Sequence, residues 1–315
     1  MGTPAFSVPI LKALLDAGPS YRVVGVFCQP DRPAGRGKKV TASPVRLEAE
    51  THSVPVYTPI KMRAPETEAT LRDWAPQVAI VAAYGRILPP SLLAVPACGC
   101  INVHASLLPR HRGASPIAHA LLAGDKTTGI SIMKMDQGCD TGPVYATREL
   151  AVADDDTTAS LTDKLSVLGA DFLLASLARI LSGELVAVPQ DSCRATLAPL
   201  LTKEHGALDW REDAVVLERC VRAYNPWPGA CGSKQVGRIQ IHRAHVATGD
   251  VAPSGAPALP GTIVAAGVQG VVVACGRGAL VLDEVTPEGR KRMAASAWCV
   301  GRGAAVGETF VLPKA

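Results

Sequence analysis

The sequence predicts an α/β fold, a mainly parallel sheet with helices on both faces, followed by a smaller β-barrel domain. Three observations carry this. Strand-like and helix-like segments alternate through the first half of the chain, the order that builds a parallel sheet. After Gly183 the pattern changes to short apolar runs punctuated by glycine and proline, as in a small barrel. A length of 315 residues, 48% of them hydrophobic, suits two domains with cores of their own.

Each element has its own signal. Ile10, Leu11, Leu14 and Leu15 recur at helical spacing, so residues 8–17 form a helix closed by Gly18. Residues 21–28 are apolar and β-branched and form a strand. Residues 65–74 read as helix, 78–83 as a buried strand and 100–103 as another. Residues 128–135 carry Ile130, Ile132 and Met133 among polar neighbours, and 143–150 pair with them as a hairpin. Residues 159–181 form a long amphipathic helix, capped by Thr157 or Thr158 and stopped by Gly183. Residues 186–199 hold two prolines and no helical period, which predicts a surface linker. Residues 213–223 are helical, and short strands follow at 238–245, 261–265, 270–275 and 279–285. The expected division is therefore a domain over 1–183, a linker over 184–202 and a second domain over 203–315.

Composition narrows the function classes. Lys and Arg number 32 against 28 Asp and Glu, a net charge of +4. No stretch reaches the ~18 consecutive apolar residues of a membrane helix, and the start lacks the pattern of a secretory leader. We expect a soluble, cytoplasmic protein. Nine cysteines without a repeated spacing read as inert thiols of a reducing compartment. Cys98 and Cys100 stand too close together for a zinc knuckle. With only 13 aromatic residues, base stacking is disfavoured as a mode of nucleic-acid binding, whereas phosphate contact is not.

The densest polar cluster follows a buried strand: Asn102-Val-His104-Ala-Ser106-Leu107-Leu108-Pro109-Arg110-His111-Arg112-Gly113. In an open α/β sheet, the carboxyl ends of strands face the ligand crevice. Asn102 and His104 are two apart, so an extended chain points both to one face. An amide beside an imidazole is what acyl transfer needs, one to hold a developing oxyanion and one to move a proton. Asp140, in a glycine-rich turn, reaches His104 only through the fold. Taken singly, each of the three is a common structural residue; it is the combination that points to chemistry. A second cluster, residues 29–39, carries four basic residues and one acid between prolines and glycines. It reads equally as a solvated loop or as a phosphate contact. No glycine-rich dinucleotide fingerprint, nucleophile elbow or paired-histidine zinc motif is present.

On these residues the chain resembles the methionyl-tRNA formyltransferase family. Gly2-Thr-Pro-Ala-Phe, the 29–39 loop, Ala83-Tyr-Gly-Arg-Ile-Leu-Pro89, Ile101-Asn-Val-His-Ala-Ser-Leu-Leu-Pro-Arg110, residues 136–142 and Arg222-Ala-Tyr-Asn-Pro-Trp-Pro-Gly229 occur in order across nearly the whole length. The resemblance implies a Rossmann-type formyltransferase domain followed by an OB-like domain. It implies transfer of a formyl group from 10-formyltetrahydrofolate to the amino group of methionine on initiator Met-tRNA. Carried over residue by residue, Asn102, His104 and Asp140 are the catalytic set. Ser106, Leu107, Leu108 and Pro109 border the folate, Arg86, Ile87 and Leu88 line the pterin pocket, and Arg36, Lys38 and Lys39 approach the tRNA. No metal is required, and a monomer is expected. The rivals are folate-dependent formyltransferases acting on glycinamide ribonucleotide or a sugar nucleotide, and a catalytically silent binding form.

One departure stands out, because the family begins with a strand just before its Gly-Thr-Pro turn. Met1 therefore reads as an internal residue, with roughly nine upstream residues holding a central strand. Without that strand, residues 21–28 and 100–103 are expected to lack a neighbour. Ala105, where the family often has glycine, is a lesser departure.

Overall fold

The structure, a computed structural model, describes all residues except 35–38, 235–236, 249–257, 302 and 314–315. The chain divides into two compact units. The first comprises Met1–Pro116, Lys126–Val152 and Leu161–Pro199; the second comprises Ile117–Asp125, Ala153–Ser160 and Leu200–Ala315.

The first unit begins with α1 (Ser7–Asp16), β1 (Val26–Phe27), β2 (Arg32–Ala34), β3 (Lys39–Thr41), α2 (Pro44–Thr51), β4 (Val56–Tyr57), α3 (Pro65–Asp73), β5 (Ala79–Val81), α4 (Pro90–Leu93) and β6 (Cys100–His104). After α5 (Pro116–Ala123) come β7 (Thr127–Lys134), β8 (Val144–Ala151) and α6 (Thr158–Leu181). β1 and β4 are parallel, as are β5 and β6, while β7 and β8 add antiparallel strands to the β6 edge. The first two residues join the two sheets. Gly2 N donates to Phe27 O and Ala82 N to Met1 O, and Gly2 bridges Ala82 in parallel.

Helices cover both faces of this sheet, which is why its central strand β6 is buried along its whole length. On α6, Leu161, Leu165, Leu173 and Leu177 are fully buried at helical spacing. Each contributes about 1.5–3 kcal/mol by leaving water. Gly169 lets this helix close on β6, since a Cβ there would lie 3.1 Å from Val103 Cγ1. A second apolar cluster joins Phe27, Leu71, Val81, Tyr84, Leu88 and Leu92.

Two strand expectations need correction. Of residues 21–28 only Val26–Phe27 form a strand, because β4 offers just two residues to pair with. Residues 100–103 do not lack neighbours: β6 pairs with β5 on one side and β7 on the other, and is buried throughout. The 29–39 segment is more than a loop, since β2 and β3 pair across it. Helix α2, with Ser43 accepting from Arg46 N as its cap and Pro44 in the first turn, was masked by its polar composition. Thr157, rather than Thr158, caps α6, its hydroxyl accepting from Ser160 N.

The second unit holds α7 (Ala214–Ala223), β9 (Cys231–Lys234), β10 (Gly237–Val246), β11 (Ile263–Gly267), β12 (Gly270–Ala274), β13 (Ala279–Pro287), β14 (Met293–Ala294) and α8 (Ala295–Val300). Its sheet is antiparallel, in the order β11-β12-β13-β10-β9, with β14 beside β13. Register shifts in β10 and β11 curl it. The two ends of the sheet meet the same tail segment. Val311 bridges Ser233 of β9, and Thr309 bridges Thr262 just before β11. Phe310, between them, is buried against the fully buried Trp210 with ring centroids 4.8 Å apart. The expected barrel is thus a curled sheet whose open edges a short tail covers.

Candidate active site

Strand β6 delivers Asn102 and His104 to one face at its carboxyl end, and they are 8% and 6% exposed. The chain then folds back on itself. Ser106 Oγ donates to Arg110 O at 2.6 Å, and Ser131 Oγ of β7 donates to Ser106 O at 2.7 Å while accepting from Leu108 N at 3.0 Å. This turn, which holds a cis Leu108–Pro109 peptide, carries the His111 carbonyl to 3.0 Å from His104 Nε2. A carbonyl only accepts, so the ring carries a proton on Nε2. The other nitrogen, Nδ1, faces Asp140 Oδ2 at 3.6 Å, just beyond direct hydrogen-bond length.

Asp140 lies in the connection between β7 and β8, and this connection is self-tied. The Asp136 carboxylate accepts from Gly138 N at 3.0 Å and from Thr141 Oγ1 at 2.8 Å. Gly142 closes the loop; a Cβ there would stand 1.9 Å from Lys134 O. Asp140 itself has a left-handed backbone, φ 54°, a conformation that Asp tolerates better than most residues. Its Oδ1 accepts from Asn102 Nδ2 at 3.3 Å and its Oδ2 from Gly113 N at 2.9 Å. The fold therefore brings Asn102, His104 and Asp140 together. Burial and the Asp140 carboxylate both push the neighbouring Cys139 thiol up, which leaves it a neutral neighbour of the carboxylate.

The remaining candidates fall into different settings. Val81 stands opposite Asn102 in the parallel pair, so the 82–89 segment leaves the sheet at the same edge as the polar cluster. The start of that segment is held in place, because Tyr84 O accepts from Gln29 Nε2 at 2.8 Å and from Thr3 Oγ1 at 3.2 Å. Within it Arg86 is half-buried, Ile87 is 85% exposed despite its apolar side chain, and Leu88 is in the core. Leu108 is buried, while Leu107 and Pro109 are half-buried. Arg36 and Lys38 lie outside the described residues, and Lys39 opens β3. Sequence reasoning missed Ser131, Thr196 and Gln190, which belong to no motif, and the roles of the His111 carbonyl and the Gly113 amide, which lie in the polar cluster but act through their backbone. Among the described residues, no group of three or more His, Cys, Asp or Glu is placed to hold a metal ion, and no helix is long and apolar enough to cross a membrane.

The formyl transferase family model matches residues 1–177, and the model of the formyl transferase C-terminal domain matches residues 200–303. The chain belongs to the formyl transferase family. All the candidate residues lie within the first of these matches. Two relatives, the methionyl-tRNA formyltransferases of Myxococcus xanthus and Thiobacillus denitrificans, are each 48% identical over 307 residues. The aligned regions cover 98% and 97% of this chain and 95% and 96% of theirs. The formyl transferase fold is also that of WlaRD, a sugar 3N-formyl transferase solved in the presence of dTDP and 5-N-formyl-THF. There the TM-score is 0.64 at 12% identity, over 92% of this chain and 97% of that one. As a formyl transferase, the chain presents its amide, imidazole and carboxylate where the fold class places its ligand crevice.

Proposed function

We propose that this chain moves the formyl group of 10-formyltetrahydrofolate onto the α-amino group of methionine carried by initiator Met-tRNA. The observation that carries the reading is the Asn102–Asp140–His104 arrangement at the carboxyl end of β6. The attacking amine must be neutral, and a free α-amino group, with a pKa of about 7.7–8.0, gives up its proton readily near neutral pH. Asn102 uses one amide N–H on Asp140 and keeps the other for the oxyanion that forms when nitrogen attacks the formyl carbon, a contact of ~3–4 kcal/mol. His104, with Nε2 fixed on His111 O, has Nδ1 to accept the proton lost by the amine. It returns that proton to the folate nitrogen as the tetrahedral intermediate collapses, so that the C–N bond to folate breaks after the new one has formed. Asp140 orients Asn102 and stabilises the ring while it is charged.

In this reading the 86–88 backbone and the exposed Ile87 offer the peptide groups and apolar surface that a pterin ring requires. The Ser106–Pro109 turn forms the wall beside it, with Ser106 and Leu108 shaping the turn through their bonds to Arg110 and Ser131. Arg36, Lys38 and Lys39 contact tRNA phosphates. Residues 1–183 are the catalytic domain, 184–202 the linker and 203–315 the tRNA-contacting domain of a cytoplasmic monomer.

The test is formylation of Met-tRNA by 10-formyltetrahydrofolate with the full chain. His104→Ala and Asp140→Asn are expected to lose about 10²- to 10⁴-fold in kcat while tRNA affinity in a filter assay is unchanged. Arg36→Ala is expected to raise KM for tRNA and leave the folate dependence alone. Formylation of an amino-sugar nucleotide in place of Met-tRNA, or wild-type turnover by His104→Ala, would overturn the reading.

A further inference from the structure

The segment after α6 runs across both loops that build the site. At one end Val188 pairs with Val144, just past the Asp140 loop, through two backbone bonds of 2.9 Å. At the other end it lies beside the loop after β6. Arg112 N donates to Thr196 O at 2.9 Å, Ala198 N to Arg112 O at 2.7 Å, and Ser115 N to Ala198 O at 3.1 Å. Between these ends, two side chains reach the residues that matter.

Gln190 Nε2 donates to Asp140 O at 2.8 Å and to Gly142 O at 2.7 Å, and its Oε1 accepts from Arg112 Nε and Nη2 at 3.0 and 2.8 Å. Thr196 Oγ1 accepts from His111 N at 2.9 Å. Asp140 and His111 are two of the few non-glycine residues with a left-handed backbone, at φ 54° and 59°, a conformation that persists only where its surroundings impose it. They are also the two residues that face His104, one at each ring nitrogen.

Resting on the catalytic reading above, we propose that residues 188–198 are a strap that positions His104, acting through Gln190 at Asp140 and through Thr196 at His111. Gln190 and Thr196 are positioning residues, because neither reaches the reacting atoms. Gln190 suits this task because a primary amide alone combines two donors for two carbonyls with an acceptor for a buried guanidinium. Loss of the donors frees the Asp140 backbone to relax, and the carboxylate shifts with it. Displacement of a catalytic group by about 1 Å is enough to cost on the order of 100-fold in rate.

The experiment compares full-length wild type with Gln190→Glu, Thr196→Val, Thr196→Ser, Asp140→Asn and the Gln190→Glu/Asp140→Asn double variant. It reads kcat, both KM values and thermal unfolding. Gln190→Glu keeps an acceptor for Arg112 but presents oxygen to the Asp140 and Gly142 carbonyls. The expected result is a fall of about 10- to 100-fold in kcat with both KM values unchanged. Thr196→Val is expected to fall likewise and Thr196→Ser to recover. The double variant is expected to be no slower than Asp140→Asn alone. If Gln190→Glu does not fold, the Thr196 pair decides. Folded variants with a lowered melting temperature and wild-type kcat, or losses that multiply in the double variant, would overturn the strap. Wild-type turnover by Asp140→Asn would instead overturn the catalytic reading itself, whereas a slow Asp140→Asn beside an unimpaired Gln190→Glu would overturn the strap alone.

Discussion

Asn102 meets Asp140 as amide against carboxylate at 3.3 Å, a pairing that fixes which way the amide points. The same contact makes substitution there diagnostic. Asn102→Asp would set a second carboxylate against Asp140 at a separation where two carboxylates cannot both stay ionised, and would remove the N–H meant for the oxyanion. We expect kcat to fall by more than the ~10²–10³-fold of losing one oxyanion donor, and below that of Asn102→Ala. Steady-state formylation of both variants checks the order; the reverse order would mean that Asn102 fills space rather than donates. At this scale the sequence was most legible. Asn102 and His104 share a strand face by simple alternation, so their meeting is a consequence of spacing. Asp140 is 36 positions beyond His104, and only the return of β7 beside β6 brings it back.

The connection between β7 and β8 illustrates the scale of elements. It is built on Gly142, where any side chain collides with Lys134 O. Gly142→Ala must move one strand against the other, and we expect a loss of about 1–3 kcal/mol, the usual cost of overpacking, measured by denaturant unfolding of the full chain. An unchanged midpoint would show that the hairpin absorbs the methyl group. Helix α6 was readable because burial imposes a period on its leucines, and β7 because it is a short apolar run buried between its ends. Segments placed by polar or backbone contacts were not. Helix α2 shows only a cap and a proline, and the 186–199 stretch has no period, since it is positioned by Gln190, Thr196 and strand-like bridges rather than by a buried face. Leu88 stands beside the exposed Ile87 but packs into the core, a difference that the motif containing both does not reveal.

For the molecule as a whole, acid stability turns on groups that the barrel half-buries. His242 bonds Thr286 Oγ1 at 2.8 Å, and burial, then Arg292, lower its pKa from the ordinary 6.5, with Glu284 opposing. A folded pKa below the unfolded one means that the unfolded chain binds the proton first. The stability contributed by neutral His242 is therefore complete above pH 6.5 and is lost as pH falls from 6.5 through the lowered folded value. Glu284, held below 4.5 by its bond to Arg292, adds a second loss at lower pH. The melting-temperature difference between wild type and His242→Gln is expected to be constant above pH 6.5 and to shift against wild type as pH falls below it, and curves parallel over the whole range would remove His242 from the account.

The way the chain divides between its two units also bears on how it is made. The second unit takes Ile117–Asp125 and Ala153–Ser160 from the middle of the sequence, and its remaining part begins only at Leu200. On a ribosome the α5 segment, which carries the apolar Leu121 and Leu122, emerges ahead of the 74 residues that separate Asp125 from Leu200. At ~5–20 residues per second it waits several seconds or more for its partners. The first unit, by contrast, is complete once Pro199 is made. The order of synthesis thus favours early assembly of the catalytic sheet and leaves the barrel unit to gather distant pieces, the slow kind of closure. Destabilising substitutions in the barrel unit should therefore show first as poor soluble yield, before they show in the turnover of the molecules that fold.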